Sequence, residues 1–394
     1  MGSGELRPAG HKKTLRTFAA ASFLNDMGSD IIYPVWPLFV TEFLKAKMTV
    51  LGFIDGLGDA LVSLSQAASG YASDKLKRRK IFIWTGYLCG SISRLGYAVS
   101  TVWTQLVPFK MLDRIGKIRS APRDAAVADL STDGNRGRNF GLLRTMDNLG
   151  AFVGILVCLA LFPLFGYRRL FALAAIPSLV GAALIIINIR ETRPSERKIF
   201  KGMSLRRLDG NLKLYIVLNA VFALGSFSYS FLLIQAKRSG SRAGFVPVLY
   251  LIYAAAATAG SLPFGRLSDK VGRKPVLFLS FGVWGALCLG VLAAKGPGVG
   301  IAVFVLFGIH KAALDPVQRA LVAELCPPAF RASALGAFQM IIGLCAFPAS
   351  FLAGLLWETL GPAAPFALSL GLTALAGLLL AFVNPPRPSK SALP

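Results

Sequence analysis

Two pairs of aspartates stand four residues apart, Asp26 with Asp30 and Asp55 with Asp59, and both pairs lie in long apolar runs. That spacing puts each pair on one face of a helix. A carboxyl group in such a place can load and release a proton, because burial raises its hold on the proton and a nearby cation lowers it. Cations stand in comparable surroundings at Arg94, Lys110, Arg114 and Arg144. A set of this kind suits proton exchange joined to the capture of a polar solute. Structural ion pairs are the competing reading.

The elements that must position these residues follow from composition. Hydrophobic residues make up 54% of the 394 and charged ones 16%, with a mean hydropathy of +0.59, beyond the range of ordinary soluble domains. A helix needs about 20 mainly apolar residues to cross roughly 30 Å of hydrocarbon. Twelve such spans are predicted, at 17–40, 48–72, 80–100, 102–120, 138–163, 167–190, 212–236, 244–268, 274–294, 297–320, 332–356 and 361–383. The fold class is therefore an all-α integral membrane protein. The first span follows His11, Lys12, Lys13 and Arg16 but contains Asp26 and Asp30, so it is read as a retained helix rather than a signal peptide.

A charge at the bilayer centre costs at least about 2.5–3.5 kcal/mol and marks a pathway or a pair. Counted from the helix ends, Asp30, Asp59, Arg94 and Lys110 are expected at similar depth near mid-membrane, neutralising one another. Asp30 and Asp59 are the primary proton-site candidates, Asp26 and Asp55 the next. Asp113, Arg114 and Lys117 on the fourth span and Arg144 and Asp147 on the fifth are expected to form a second group nearer the cytoplasm. The C-terminal half offers His310, Lys311, Asp315 and Arg319 on the tenth span and the amide of Gln339 on the eleventh.

The formal net charge of +24 raises the question of nucleic acid. The Lys and Arg residues instead alternate by loop: the N-terminus, 75–80, 119–138, 190–207, 266–274 and Arg387 carry most of them. The positive-inside rule then puts both termini in the cytoplasm, and the basic runs are read as topology signals and contacts to anionic lipid, with no nucleic-acid partner. The polar stretch 191–211 separates the two halves, giving an N-terminal six-helix bundle at 1–190, a cytoplasmic linker at 191–211 and a C-terminal bundle at 212–394.

A repeat supports that division. Gly70-Tyr71-Ala72-Ser73-Asp74-Lys75-Leu76-Lys77-Arg78-Arg79 recurs 195 residues later as Gly265-Arg266-Leu267-Ser268-Asp269-Lys270-Val271-Gly272-Arg273-Lys274. The same offset maps Ala128-Asp129 onto Ala323-Glu324, Arg136 onto Arg331 and Gly141 onto Gly336.

Six plus six spans, the central loop and this G-x-x-x-D-K-x-x-R-[RK] element resemble the major facilitator superfamily along essentially the whole chain. The second copy fits the family's loop signature closely, whereas the first has Lys77 where the family usually has glycine. The resemblance implies two pseudo-symmetric bundles working by alternating access. It also implies that Asp74 and Asp269 help hold the cytoplasmic side closed, with Gly70, Lys75, Arg78, Arg79, Gly265, Lys270 and Arg273 shaping those loops. Arg114 matches the fourth-helix arginine of proton-coupled members. Gly141, Gly150 and Gly154 have the spacing of the antiporter motif, though Ile155 replaces its proline, and such glycines also serve any close helix packing.

Nothing indicates an enzyme, since the chain lacks a His-Glu-x-x-His, a phosphate loop and a nucleophile elbow. Cys89, Cys158, Cys288, Cys326 and Cys345 are isolated, so no metal, cofactor or disulfide framework is expected. The reading is a monomeric multi-pass secondary transporter of the cytoplasmic membrane, moving a small molecule, with proton-coupled efflux first. Uptake or uniport of a polar or anionic solute is the alternative, and a non-transporting receptor the remote one.

Overall fold

The structure, a computed structural model, describes residues 8–76, 78–131, 136–189, 191, 209–293, 296–326 and 331–384. Among them there is no strand. In hydrocarbon an isolated segment hides its peptide groups only by forming a helix. The N-terminal helices are α1 (Pro8–Ile32), α2 (Met48–Leu76), α3 (Lys80–Val99), α4 (Trp103–Ile115), α5 (Ser120–Asp129) and α6 (Arg136–Asn188). The rest are α7 (Gly210–Gly225), α8 (Tyr229–Arg238), α9 (Val246–Val271), α10 (Arg273–Ala293), α11 (Pro297–Leu325), α12 (Arg331–Thr359) and α13 (Ala364–Ala381).

Eight of the described helices are long and apolar enough to cross a membrane. The all-α membrane class expected from composition is what the chain adopts. Three differences from the predicted spans matter for the site. The first span stops at Ile32, turns through 33–35 and resumes as Trp36–Leu38 and a π-type turn at Phe39–Phe43, where Pro34 and Pro37 supply no backbone N–H. The fifth and sixth spans form one run, α6, broken at Gly166, whose φ of 62° and ψ of −168° are not helical. The seventh is interrupted between Gly225 and Tyr229, with Ser228 capping the second piece through Ser230 N–H.

Two compact units form, one from Met1–Lys45 with Leu61–Phe200, the other from Ala46–Ala60 with Lys201–Pro394. In the first unit Phe18, Ile83, Tyr87, Val127, Leu143 and Ile185 make an apolar cluster joining α1, α3, α5 and α6. In the second, aromatic rings dominate: Phe222 stacks on Phe281 at 4.5 Å, and Phe227 meets Phe366 edge-on at 5.2 Å. Large apolar side chains such as Ile187 and Leu378 are exposed, the arrangement suited to lipid as solvent.

Lipid gives little hydrophobic reason for helices to pack together, so close approach and buried polar bonds carry more of the packing. Gly150 and Gly154 show this. A Cβ on Gly154 would stand 3.1 Å from the Asp30 Cβ, and one on Gly150 would meet the Phe23 backbone, so both glycines seat α6 directly on α1. Gly141 has no neighbour within 4 Å of such a Cβ.

Candidate functional site

Arg94 is the pillar of the first unit's interior. Its side chain leaves α3, is only 2% exposed, and reaches both α1 and α6. One guanidinium nitrogen donates to Asn25 O at 3.2 Å, Asn25 Oδ1 at 3.5 Å and Ser29 Oγ at 2.8 Å. The other donates to Ala174 O at 3.1 Å and to Ser178 Oγ, which itself donates to Asn25 Oδ1 at 3.0 Å. All of these acceptors are neutral. The charge is thus held by fixed dipoles, which orient it without cancelling it.

Beside Arg94 a narrow cavity opens, lined by Ser29, Ile32, Tyr33, Trp36, Arg94, Tyr97, Lys110 and Asp113. The break after Ile32 brings Tyr33 and Trp36 to its wall. Lys110 is 3% exposed, and its ammonium lies 3.9 Å from the centre of the Trp36 ring, within the range of a cation–π contact. Tyr97 packs on Trp36 at 4.9 Å and donates to Phe109 O at 3.4 Å. Arg114 donates to Tyr33 Oη at 3.2 Å, and its Nε stands 3.8 Å from an Asp113 oxygen. Asp30, nearly one turn before Tyr33, acts electrostatically on that phenol, as do Asp113, Arg114 and Arg94.

A second network lies along α5 and the start of α6. Arg123, 6% exposed, donates to Ser22 Oγ, to Asp124 at 3.0 Å and to Asp147 at 3.4 Å. Arg144, mostly exposed, meets Asp124 and Asp147 at 3.4 Å each. This corrects one expected grouping: Asp113 and Arg114 belong with Arg94 and Lys110, while Arg144 and Asp147 belong with Arg123 and Asp124. The reason is the short 3₁₀ turn at Gly116–Arg119, which separates α4 from α5. Arg123 and Asp124 stand in the stretch 119–138, which the sequence marks only as a topology signal.

The remaining candidates fall in the second unit. Asp55, 4% exposed, accepts from Ser228 Oγ at 2.8 Å and Ser230 Oγ at 2.5 Å, at the start of α8. Asp59, partly buried, follows one turn later on α2. His310 is fully buried, its Nδ1 2.9 Å from both the hydroxyl and the carbonyl oxygen of Ser280. Trp284 packs on it at 5.0 Å. Lys311 and Asp315 stand 4.0 Å apart, and Gln339 is exposed on α12.

The repeated loop elements build the same contacts twice, one residue out of step. Arg79 is buried against Asp129, and Arg273 meets Glu324 at 2.8 Å. Lys80 Nζ caps Ile186 O at 2.7 Å, and Lys274 Nζ caps Ala381 O at 2.6 Å. The acidic and carbonyl partners keep the 195-residue offset, so Arg79 corresponds to Arg273 and Lys80 to Lys274. The aligned string had set Arg79 against Lys274. Where the second copy turns at Gly272 with φ 93°, a conformation suited to glycine, the first uses one residue more. Asp269, largely exposed, pairs with Arg273 at 2.5 Å. Gly70 and Gly265 lie inside α2 and α9, Lys75, Arg78 and Lys270 are exposed, and the side chain of Asp74, with Lys77, lies outside the described residues. Sequence reading passed over Glu191, which accepts from the backbone of Arg79 at 2.5 Å and of Lys80 at 3.1 Å.

Comparison with known proteins places this architecture. The Major Facilitator Superfamily signature matches residues 18–237 and 215–394. The chain belongs to the major facilitator superfamily. An uncharacterised MFS-type transporter of Methanocaldococcus jannaschii is 34% identical over 380 residues, covering 94% of this chain and 95% of that protein. Solute carrier family 22 member 18 of Mus musculus is 32% identical over 137 residues, 34% of this chain and 33% of the carrier. Among solved structures, a variant of the nucleoside transporter NupG superposes with a TM-score of 0.78 at 13% identity, covering 93% of this chain and 99% of that one. A D-xylose-proton symporter gives 0.75 at 17% identity, covering 96% and 98%. At such identities these structures share the superfamily's fold with this chain. Membership makes the protein a multi-pass membrane transporter of small solutes.

Proposed function

We propose that the chain is a proton-coupled secondary transporter of the cytoplasmic membrane, and that the cavity of the first unit is where solute and proton meet. The observation that carries the reading is the cavity itself, in which Lys110, Arg94 and Asp113 face one space walled by Tyr33, Trp36 and Tyr97. Buried charges inside membrane helices are costly and are kept where they serve a pathway. Asp113 lines the cavity, and Asp30, whose charge reaches Tyr33 on its wall, is the second carboxylate assigned to exchange a proton there. A solute reaching Lys110 or Arg114 alters the field at both, and that field is what binds or releases the proton.

Efflux in exchange for protons is the proposed direction, supported by the spacing of Gly141, Gly150 and Gly154. Gly150 and Gly154 pack α6 on α1, a shape role that either direction of transport can use. Import or uniport of a polar or anionic solute is the second reading, favoured by the two cations that line the cavity, Arg94 and Lys110. The positive-inside pattern supports cytoplasmic termini, and the protein is proposed to act as a monomer. Asp55, bonded to the hydroxyls of Ser228 and Ser230, is assigned a holding role, and Asp74 and Asp269 remain proposed gate residues.

The test is solute flux in proteoliposomes under an imposed pH gradient, with a pH-sensitive dye inside, for the unmutated protein and for Asp30→Asn, Asp59→Asn and Asp113→Asn. Proton movement that depends on solute and vanishes in Asp30→Asn or Asp113→Asn supports the reading. Flux that ignores the pH gradient removes the proton from it.

A further inference from the structure

We propose that a cleft between the first turns of α1 and the last turns of α6 binds an anionic phospholipid, with Lys12, Lys13 and Arg16 on its phosphate and the apolar face of α6 along its chains. The proposal is separate from the reading of the cavity beside Arg94.

Shape is the first argument. The cleft is open, measures about 450 Å³ and is lined by Lys12, Lys13, Arg16, Thr17, Ala20 and Leu184. Sites that hold small organic groups span roughly 300–1,000 Å³. The walls follow from how the two helices meet. A Cβ on Gly181 would stand 3.2 Å from Ala21 O, so α6 lies directly against α1 there. Phe18 and Ala21 join the core cluster with Ala182 and Ile185. Lys12, Arg16 and Ala20 follow at four-residue spacing, with Lys13 beside them, and all four are left exposed.

Charge is the second argument. The lining holds three cations and no carboxylate, and among the described residues none of the three is in an ion pair. Thr17 gives its hydroxyl proton to Lys13 O at 3.0 Å, so the cations are the donors that remain for a ligand. A phosphodiester brings one negative charge and several acceptor oxygens, which suits such donors. Basic pockets between membrane helices on the cytoplasmic side take lipid head groups in this way. The proposed cytoplasmic termini put the cleft on that side.

Continuity is the third argument. Ile176, Val180 and Leu184 share one face of α6 at four-residue spacing, and Ile176 and Val180 are exposed. Leu184 brings this apolar stripe into the cleft. A single molecule with a charged head and an apolar chain covers both, which a free phosphate does not.

The experiment is native mass spectrometry of the purified full-length protein in detergent, titrated with short-chain phosphatidylglycerol, with phosphatidylcholine of the same chains and with glycerol phosphate. Phosphatidylglycerol is expected to bind at least about tenfold more tightly than either of the others. Lys12→Gln, Lys13→Gln and Arg16→Gln together should weaken it about a hundredfold, each cation near an anionic head being worth roughly fivefold. Lys12→Arg with Lys13→Arg should keep it. Arg168→Gln with Arg169→Gln, which removes two exposed cations further back on α6, should leave it unchanged. A rise in unfolding temperature on adding phosphatidylglycerol, present in the unmutated protein and absent in the triple variant, is the second readout. The proposal is overturned if phosphatidylcholine or glycerol phosphate binds as tightly, if the triple variant keeps the unmutated affinity, or if the Arg168 and Arg169 variant loses as much.

Discussion

The two units tie corresponding helices together with opposite chemistry. In the first, α3 reaches α6 through Arg94, which bonds the carbonyl of Ala174 and the hydroxyl of Ser178. In the second, α10 reaches α13 through the Trp284 indole, 2.8 Å from Ser369 Oγ. Ala174 and Ser369 are 195 residues apart, the offset of the repeat. One scaffold therefore carries a buried charge in one copy and a buried aromatic in the other. The contrast teaches that the charge is not needed to join these helices, since an indole does so. Its cost points to a further use, and the cavity beside it is the nearest one.

The comparison is broken most easily at its pillar. Arg94→Met leaves Asn25, Ser29, Ala174 and Ser178 without their donor, and a loss of about 1–3 kcal/mol is expected for each buried acceptor that stays unsatisfied. Trp284→Phe keeps a benzene ring but removes the pyrrole ring and its N–H from a buried site, for about 1–3 kcal/mol. Thermal unfolding of the purified proteins measures both, and equal losses would erase the distinction between the units.

The loop elements sharpen it. Arg79 is buried with Asp129, whereas Arg273 sits partly exposed between Asp269 and Glu324. Arg79→Gln should cost about 3 kcal/mol and Arg273→Gln under about 1 kcal/mol, as for surface pairs. Chemical denaturation followed by tryptophan fluorescence would show whether the order is reversed.

Smaller effects test the packing. Gly150→Ala forces a methyl group against the Phe23 backbone and should cost about 1–3 kcal/mol, while Gly141→Ala should change stability by less than about 0.5 kcal/mol. If Gly141→Ala destabilises as much, the glycine spacing answers to something other than the seating of α6 on α1. Ser280→Ala, which removes the hydroxyl and leaves the backbone carbonyl to His310 Nδ1, should cost about 1 kcal/mol in thermal unfolding, and no loss would remove the hydroxyl bond from the account of the second unit.

Much of this was legible in the sequence where hydropathy or charge alone decides. The apolar runs gave the helices, because a peptide group in lipid has no alternative partner. Arg94, Lys110 and Asp113 stood out because charged residues in such runs are conspicuous. Their partners did not, since Ser29, Ser178 and Tyr97 look like any small or aromatic residue until three helices bring them together. Asp30 and Asp59 have the same local pattern yet fall in different units, a division that no helical period reveals. The one-residue step between Arg79 and Arg273 was hidden by a matching string of basic residues, in which either alignment looks acceptable. The breaks at 33–35 and 226–228 had their cues in Pro34, Pro37 and the run Gly225-Ser226-Phe227-Ser228, but such cues specify an interruption and not which side chain turns inward.

The central claim is that the charged unit, not the aromatic one, couples solute to proton. Its most direct measurement is solute-driven proton movement in proteoliposomes loaded with a pH-sensitive dye, comparing Asp113→Asn with His310→Gln across a panel of labelled organic acids, alcohols and amines. Coupled movement lost in Asp113→Asn and kept in His310→Gln is the result expected. Coupling that survives in Asp113→Asn and disappears in His310→Gln would contradict the account and move the site to the second unit.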